Sequence, residues 1–153
     1  MTVRRLTLAL NILPFQLIVL DTNVVSELMK PEPHEHVRDW LGRSDDVRLT
    51  TTAITVAEIT HGLERLPDGK RKADLQAAFI KLLDALGVLP LDDAAGFKAG
   101  KFRALREAVG HPSSPSDMMI AGIAVASGAS LATRNIKDFE ALPLALIDPW
   151  AAN

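Results

Sequence analysis

The chain has 153 residues, enough for one domain with a buried core, and 48% hydrophobic with 24% charged residues is the composition of a globular protein. It has no cysteine, which excludes a disulfide scaffold, a thiolate nucleophile and a cysteine-ligated zinc site, and which fits a reducing cytoplasm. The formal net charge of −2 argues against a basic protein that coats nucleic acid, although an enzyme contacting a few phosphates is compatible with it.

The first 16 residues, MTVRRLTLALNILPFQ, lack the pattern of a core element. Two arginines precede an apolar stretch, as in a signal peptide, but Asn11, Pro14 and Gln16 interrupt that stretch and no small-residue cleavage site follows. No run reaches the ~18 uninterrupted apolar residues of a membrane span, so we expect no membrane association. We predict that residues 1–16 are an extension outside the fold and that residues 17–150 form a single domain.

From Leu17 onwards, short apolar runs alternate with longer segments of helical spacing. The runs predicted as strands are 17–20, 47–51, 88–91, 129–133 and 144–147, with the last at an edge of the sheet. The segments predicted as helices are 35–41, 53–66, 70–86, 94–108 and 117–127. Strands that alternate with helices predict an α/β domain with a mainly parallel central sheet.

Acidic residues occur near the ends of several predicted strands. Asp21 follows the first strand, Glu58 lies in the first turns of the helix after the second strand, and Asp117 opens the apolar helix in SPSDMMIAGIAVA. Ligands of an open parallel sheet bind beyond the carboxyl ends of the strands, so these three carboxylates can meet at one edge. Clusters of carboxylate oxygens bind hard divalent cations, usually Mg²⁺ or Mn²⁺.

Further polar residues belong to the same predicted edge. Asn135 follows the strand that contains LATRN, and Asp138 comes three residues later. Residues three apart in a tight helical turn share a face, so both side chains could point towards the site. Asp92 or Asp93 also follows a strand at this edge, although a turn and a helix start explain them more simply.

Each acid also has an interpretation as a residue with a structural role only. Thr55 and Glu58 fit the Thr-x-x-Glu capping box, Asp117 could interact with a helix dipole, and Asp21 could accept hydrogen bonds from a turn. Asp21 and Asp117 each flank an otherwise apolar segment, however, where an ordinary surface acid is unexpected. Their joint placement favours a functional site.

Four segments, IVLDTNVVSEL, AITVAEI, PSDMMIAGIAVASGASLATRN and IDPW, resemble in order and spacing the PIN-domain family, and more narrowly the VapC and FitB type of toxin from bacterial toxin–antitoxin pairs. The resemblance covers roughly residues 17–150. It implies a PIN-like three-layer α/β domain. It also implies a Mg²⁺- or Mn²⁺-dependent ribonuclease whose catalytic and metal-binding acids match Asp21, Glu58 and Asp117.

The resemblance matches Thr22 and Asn23 to the polar residues that follow the first acid, and we predict that Thr133, Asn135 and Asp138 support the site as well. Many family members carry a fourth acid after the ATR strand, where this chain has Asn135, so the sequence leaves open whether Asn135 or Asp138 fills that position. The family further implies RNA as substrate, an antitoxin that blocks the active site and brings the DNA binding, and a homodimer. Products would carry a 5′-phosphate and a 3′-hydroxyl.

Two other functions are compatible with parts of this pattern. A PIN-like module that binds RNA or a partner without cleavage would explain the altered fourth position. A phosphatase with Asp21 as its nucleophile would also place an acid after the first strand, but that chemistry commonly uses a second acid where this chain has Asn23. Both rank below the ribonuclease.

Overall fold

The computed structural model of the protein describes residues 16–44 and 47–151. The strands are β1 (Gln16–Leu20), β2 (Val47–Thr52), β3 (Val88–Leu89), β4 (Ser130–Ala132) and β5 (Leu146–Ile147). The helices are α1 (Thr22–Leu28), α2 (Glu35–Gly42), α3 (Ala53–Glu64), α4 (Lys70–Leu86), α5 (Asp93–Ala108) and α6 (Pro115–Ala126), and a 3₁₀ helix spans Ile136–Phe139.

The strands form one sheet in the order β3-β2-β1-β4-β5, and its paired strands are parallel, as predicted. β1 is central: Ile18 is in register with Leu49 of β2 on one side and with Ser130 of β4 on the other. β5 lies at an edge, also as predicted. Because the chain continues from β1 to β2 on one side and reaches β4 on the other, a crevice is expected beyond the carboxyl ends of β1 and β4.

Two hydrophobic clusters cover the two faces of the sheet and confirm the three-layer architecture. Ile18 and Leu20 of β1 pack with apolar residues of α1, α3 and α4, whereas Val19 packs with residues of α5 and α6. This alternation follows from the period of two along a strand, and burial of both faces explains why residues 17–20 of β1 are continuously apolar. Among the described residues, no helix has the length and apolar character needed to cross a membrane.

Helix α1 is absent from the predicted helices, and most element boundaries differ from the prediction by one or two residues, two of them for a clear reason. α6 begins at Pro115 rather than Asp117, because the Ser114 hydroxyl caps the helix and proline at the first position presets the helical φ. β1 begins at Gln16, which is in register with Val47. The remainder of the predicted extension, residues 1–15, lies outside the described residues.

Candidate active site

Asp21 is held at the carboxyl end of β1 with 3% of its surface exposed. One carboxylate oxygen, Oδ1, accepts a hydrogen bond of 2.8 Å from the backbone N–H of Thr22, so Asp21 caps α1 as a turn acid would. The other, Oδ2, accepts bonds of 2.7 Å from the Thr133 hydroxyl and 3.3 Å from the Asn23 amide. The buried carboxylate is therefore fixed in position by donors on both of its oxygens.

Thr133 and Asn23 link the end of β1 to the segment after β4. The Thr133 hydroxyl oxygen accepts a 3.0 Å bond from the backbone N–H of Asn135, and the Asn23 carbonyl oxygen accepts a 3.2 Å bond from that of Arg134. The predicted supporting residues Thr22, Asn23 and Thr133 thus converge on Asp21. Asn135 takes part through its backbone, while its side chain is exposed.

The electrostatic surroundings of Asp21 disfavour its charged form. Burial raises its pKa above the ordinary value, the hydrogen bonds from Thr133 and Thr22 lower it by less, and the negative charges of Glu58 and Asp138 raise it further. A bound cation would favour the charged form of Asp21 and lower its pKa.

Glu58 reaches the same edge from α3. Its Oε1 accepts a 2.9 Å bond from the Thr22 hydroxyl, and the Thr22 and Thr55 hydroxyl oxygens are 3.0 Å apart. The capping-box interpretation is wrong, because Thr52 is the residue that caps α3, with its hydroxyl accepting from the backbone N–H of Thr55. Glu58 is exposed, so neither a cap nor packing restricts its carboxylate as they restrict Asp21.

Asp117 is half-buried in the first turn of α6, where its backbone N–H donates to the Ser114 hydroxyl at 3.1 Å. Burial, and next the charge of Asp21, raise the pKa of Asp117 to about 6. Hydrogen bonding of its carboxylate to the Ser114 side chain lowers this pKa, and the charges of Asp138 and Glu58 raise it by smaller amounts. The helix-dipole interpretation fits its position, but a helix end alone would lower the pKa. Burial and the neighbouring acids therefore outweigh the helix end.

Asp138 lies half-buried in the 3₁₀ helix, near enough for its charge to raise the pKa of both Asp21 and Asp117. It does not cap this helix, because the cap position belongs to Asn135, whose side chain makes no capping bond. We refer to Asp21, Glu58, Asp117 and Asp138 as the acidic edge.

The acids after β3 have a structural role. The Asp92 carboxylate caps α5 by accepting a 3.0 Å bond from the backbone N–H of Ala95, and Asp93 lies in the first turn of that helix. Both residues are exposed. The helix-start interpretation of these two acids is confirmed.

The acidic edge has the donor chemistry of a divalent-metal site. Across residues 16–44 and 47–151, no Lys, Arg or His nitrogen lies within 4.0 Å of a carboxylate oxygen of its acids, so no protein cation offsets their charge. In the same ranges, no three acidic or histidine side chains are already close enough together to hold one ion. Oxygen ligands without a paired protein cation are those that Mg²⁺ and Mn²⁺ prefer, and these acids would have to approach one another to hold one ion.

Comparison with known proteins agrees with this fold. The PIN domain family matches residues 18–143. The chain is 41% identical over 137 residues to "VapC ribonuclease Y4jK" of Sinorhizobium fredii, covering 88% of this chain and 98% of the relative. It is 35% identical to "Toxin FitB" of Neisseria gonorrhoeae over 88% of this chain and 99% of that protein.

Solved structures show the same likeness. FitAcB from Neisseria gonorrhoeae superimposes with a TM-score of 0.77 at 33% identity, over 88% of this chain and 99% of that one. DNA-bound VapBC from Salmonella typhimurium gives a TM-score of 0.74 at 29% identity, over 88% and 98%. The chain therefore belongs to the PIN-domain family. Its relatives place it among the toxins of VapC and FitB type.

Proposed function

We propose that this protein is a Mg²⁺- or Mn²⁺-dependent endoribonuclease and the toxin of a type II toxin–antitoxin pair. The observation that carries the proposal is the convergence of Asp21, Glu58, Asp117 and Asp138 on one sheet edge, where burial raises the pKa of Asp21 and of Asp117 and the charges of the neighbouring acids raise both further. The names of the relatives, a ribonuclease and a toxin, agree with it.

In this proposal Asp21, Glu58 and Asp117 hold the metal. A metal held by these residues would supply a water molecule of lowered pKa as the attacking group and would stabilise negative charge on the phosphate. Asp138 is the better candidate for the fourth position, because its charge acts on Asp21 and Asp117 while Asn135 supplies a neutral and exposed amide. Asn135 then contributes its backbone bond to Thr133.

The surrounding residues orient the carboxylates. The oxygens of Asp21 are oriented by hydrogen bonds from Thr133, Thr22 and Asn23. The carboxylate of Glu58 is oriented by a hydrogen bond from the Thr22 hydroxyl. The phosphatase alternative stays less favoured, because the residue two positions after Asp21 is Asn23 rather than the second acid that this chemistry commonly uses.

The partners follow from the same family. We propose an antitoxin that covers the acidic edge and supplies the DNA binding of the complex, and a homodimer of the toxin. The solved structures of FitAcB and of DNA-bound VapBC support the antitoxin partner and the DNA binding of the complex. Co-purification of the natively expressed chain, followed by mass spectrometry, tests it.

Cleavage is tested with the purified chain and total RNA in Mg²⁺, in Mn²⁺ and in EDTA. We expect metal-dependent cuts whose ends ligate as 5′-phosphate and 3′-hydroxyl. Cuts that persist in EDTA and end in a cyclic phosphate would overturn the metal mechanism. Retention of RNA without any cut in either metal would support the non-cleaving binding module instead.

A further inference from the structure

Arg106 of α5 is a buried cation whose described contacts are neutral. With 6% of its surface exposed, it donates from Nε to the Ser113 hydroxyl at 2.9 Å and from Nη1 to the Glu140 carbonyl at 2.9 Å. In the described part of the chain, no carboxylate oxygen lies within 4.0 Å of its guanidinium. Its side chain also borders an open cavity of about 410 Å³.

Such a guanidinium is a poor choice for stability alone. Burial of a charge costs several kcal/mol, and well-packed apolar residues of similar volume often serve equally well. What an apolar residue cannot do is join two separate backbone segments by directed hydrogen bonds. Arg106 joins the loop before α6 to the chain that leaves the 3₁₀ helix.

The direction of these bonds is fixed by the chemistry of the groups. A guanidinium only donates, so the Ser113 oxygen accepts from Arg106, and the single hydroxyl proton of Ser113 is left for another acceptor. That acceptor is the backbone carbonyl of Asp138, at 2.8 Å. Hydrogen bonds in such a chain polarise and strengthen one another.

Both segments joined in this way carry acids of the acidic edge. Ser113 precedes Ser114, whose hydroxyl caps α6 at the backbone N–H of Asp117, and Asp138 is itself the carbonyl partner. We propose that Arg106 is a positioning residue, which through Ser113 sets the placement of Asp117 relative to Asp138. Its effect on catalysis rests on the proposed function above, whereas its effect on the two segments does not.

Hydrogen exchange and kinetics of matched variants test the proposal. Arg106→Met and Ser113→Ala break the chain of bonds. Arg103→Met removes an exposed arginine from the same helix, and Ser116→Ala removes a hydroxyl without a described partner. For both test variants we expect about tenfold faster exchange in residues 110–118 and 134–140, as when one hydrogen bond of ordinary strength is lost.

We also expect kcat to fall about 10–100-fold with KM within about threefold, because the reacting geometry changes and the RNA-binding surface does not. The double variant Arg106→Met/Ser113→Ala should resemble the worse single variant, since both remove the same connection. If Arg106→Met does not fold, Ser113→Ala carries the test, because that variant keeps Arg106 and its hydrogen bond to the Glu140 carbonyl.

Unchanged exchange in both segments in Ser113→Ala, or changes spread evenly over α4 and α5, would overturn the proposal. A kcat loss no larger than that of Arg103→Met would also overturn the catalytic part. A wild-type chain that cuts no RNA would instead reject the proposed function, and exchange would still decide the role of Arg106.

Discussion

The acids of the acidic edge fall into two groups that are held very differently. Asp21, with Thr22, Asn23 and Thr133, forms what we call the Asp21 corner, where a carboxylate with 3% exposure accepts bonds on both oxygens. Glu58, Asp117 and Asp138 form the more open side, where Glu58 is exposed and the two aspartates are half-buried. In the proposed function, Asp21 is therefore the fixed ligand, and Glu58 is the acid with the most freedom to move.

The largest effect should follow loss of the fixed charge. Asp21→Asn keeps the shape of the side chain but removes the charge around which the others gather. We expect RNA cleavage to fall on the order of a thousandfold or more, because several kcal/mol of transition-state stabilisation are lost. Circular dichroism should show an intact fold, and Asp84→Asn, an exposed acid on α4, should cleave normally. Residual cleavage above a tenth of wild type would contradict the central role of Asp21.

A smaller effect should distinguish the two groups directly. Thr133→Val removes a hydroxyl donor from the buried Asp21, whereas Thr22→Val removes a donor from the exposed Glu58. We expect Thr133→Val to weaken Mn²⁺ binding about 10–100-fold and to lower the free energy of unfolding by about 1–3 kcal/mol. Thr22→Val should change both quantities less. Calorimetric titration measures the Mn²⁺ affinity and urea unfolding measures the free energy of unfolding. Equal changes in both quantities for the two variants would show that Asp21 is not held differently from Glu58.

Substitutions at the fourth position, Asn135 or Asp138, should change Mn²⁺ binding by a smaller amount. Asp138→Ala should weaken Mn²⁺ binding about tenfold, as for a ligand that acts partly through water. Asn135→Asp should preserve or strengthen binding, because it adds a carboxylate beside Thr133 without removing the backbone bond. If Asp138→Ala instead abolishes cleavage as fully as Asp21→Asn, Asp138 is a primary ligand.

The smallest effect concerns pH. Asp117 has a pKa of about 6 in the folded protein, above its ordinary value of 3.8, so the folded state binds the proton more readily than the unfolded state. Its contribution to the free energy of unfolding is therefore present at low pH and is lost as pH rises through about 6.

Without metal, the melting temperature of the wild type relative to Asp117→Asn should accordingly rise by a few degrees between pH 7.5 and 5. Mg²⁺ should reduce this trend, because the cation takes the place of the proton. Parallel melting curves of the two proteins over this range would show that Asp117 does not titrate as described.

The sequence predicted the sheet and the convergence of the acids because strand ends are readable from local patterns. The continuous apolar run of residues 17–20 marked the central strand β1, and Asp21, immediately after it, had to lie at the carboxyl edge. The sequence could not tell that Thr52 rather than Thr55 caps α3, since several threonines there are equally good caps. Nor could it reveal Arg106 and Ser113, because their bonds depend on how α5 packs against the 3₁₀ helix, and an arginine in a helical pattern reads as a surface residue.

The central claim, that a divalent cation binds around Asp21, is tested most directly by Mn²⁺ titration of the purified chain, followed by electron paramagnetic resonance and by melting temperature. We predict saturable binding to the wild type and to Asp84→Asn, a higher melting temperature as the site fills, weaker binding to Asp117→Asn, and none to Asp21→Asn. Identical titration curves for wild type and Asp21→Asn would contradict the claim.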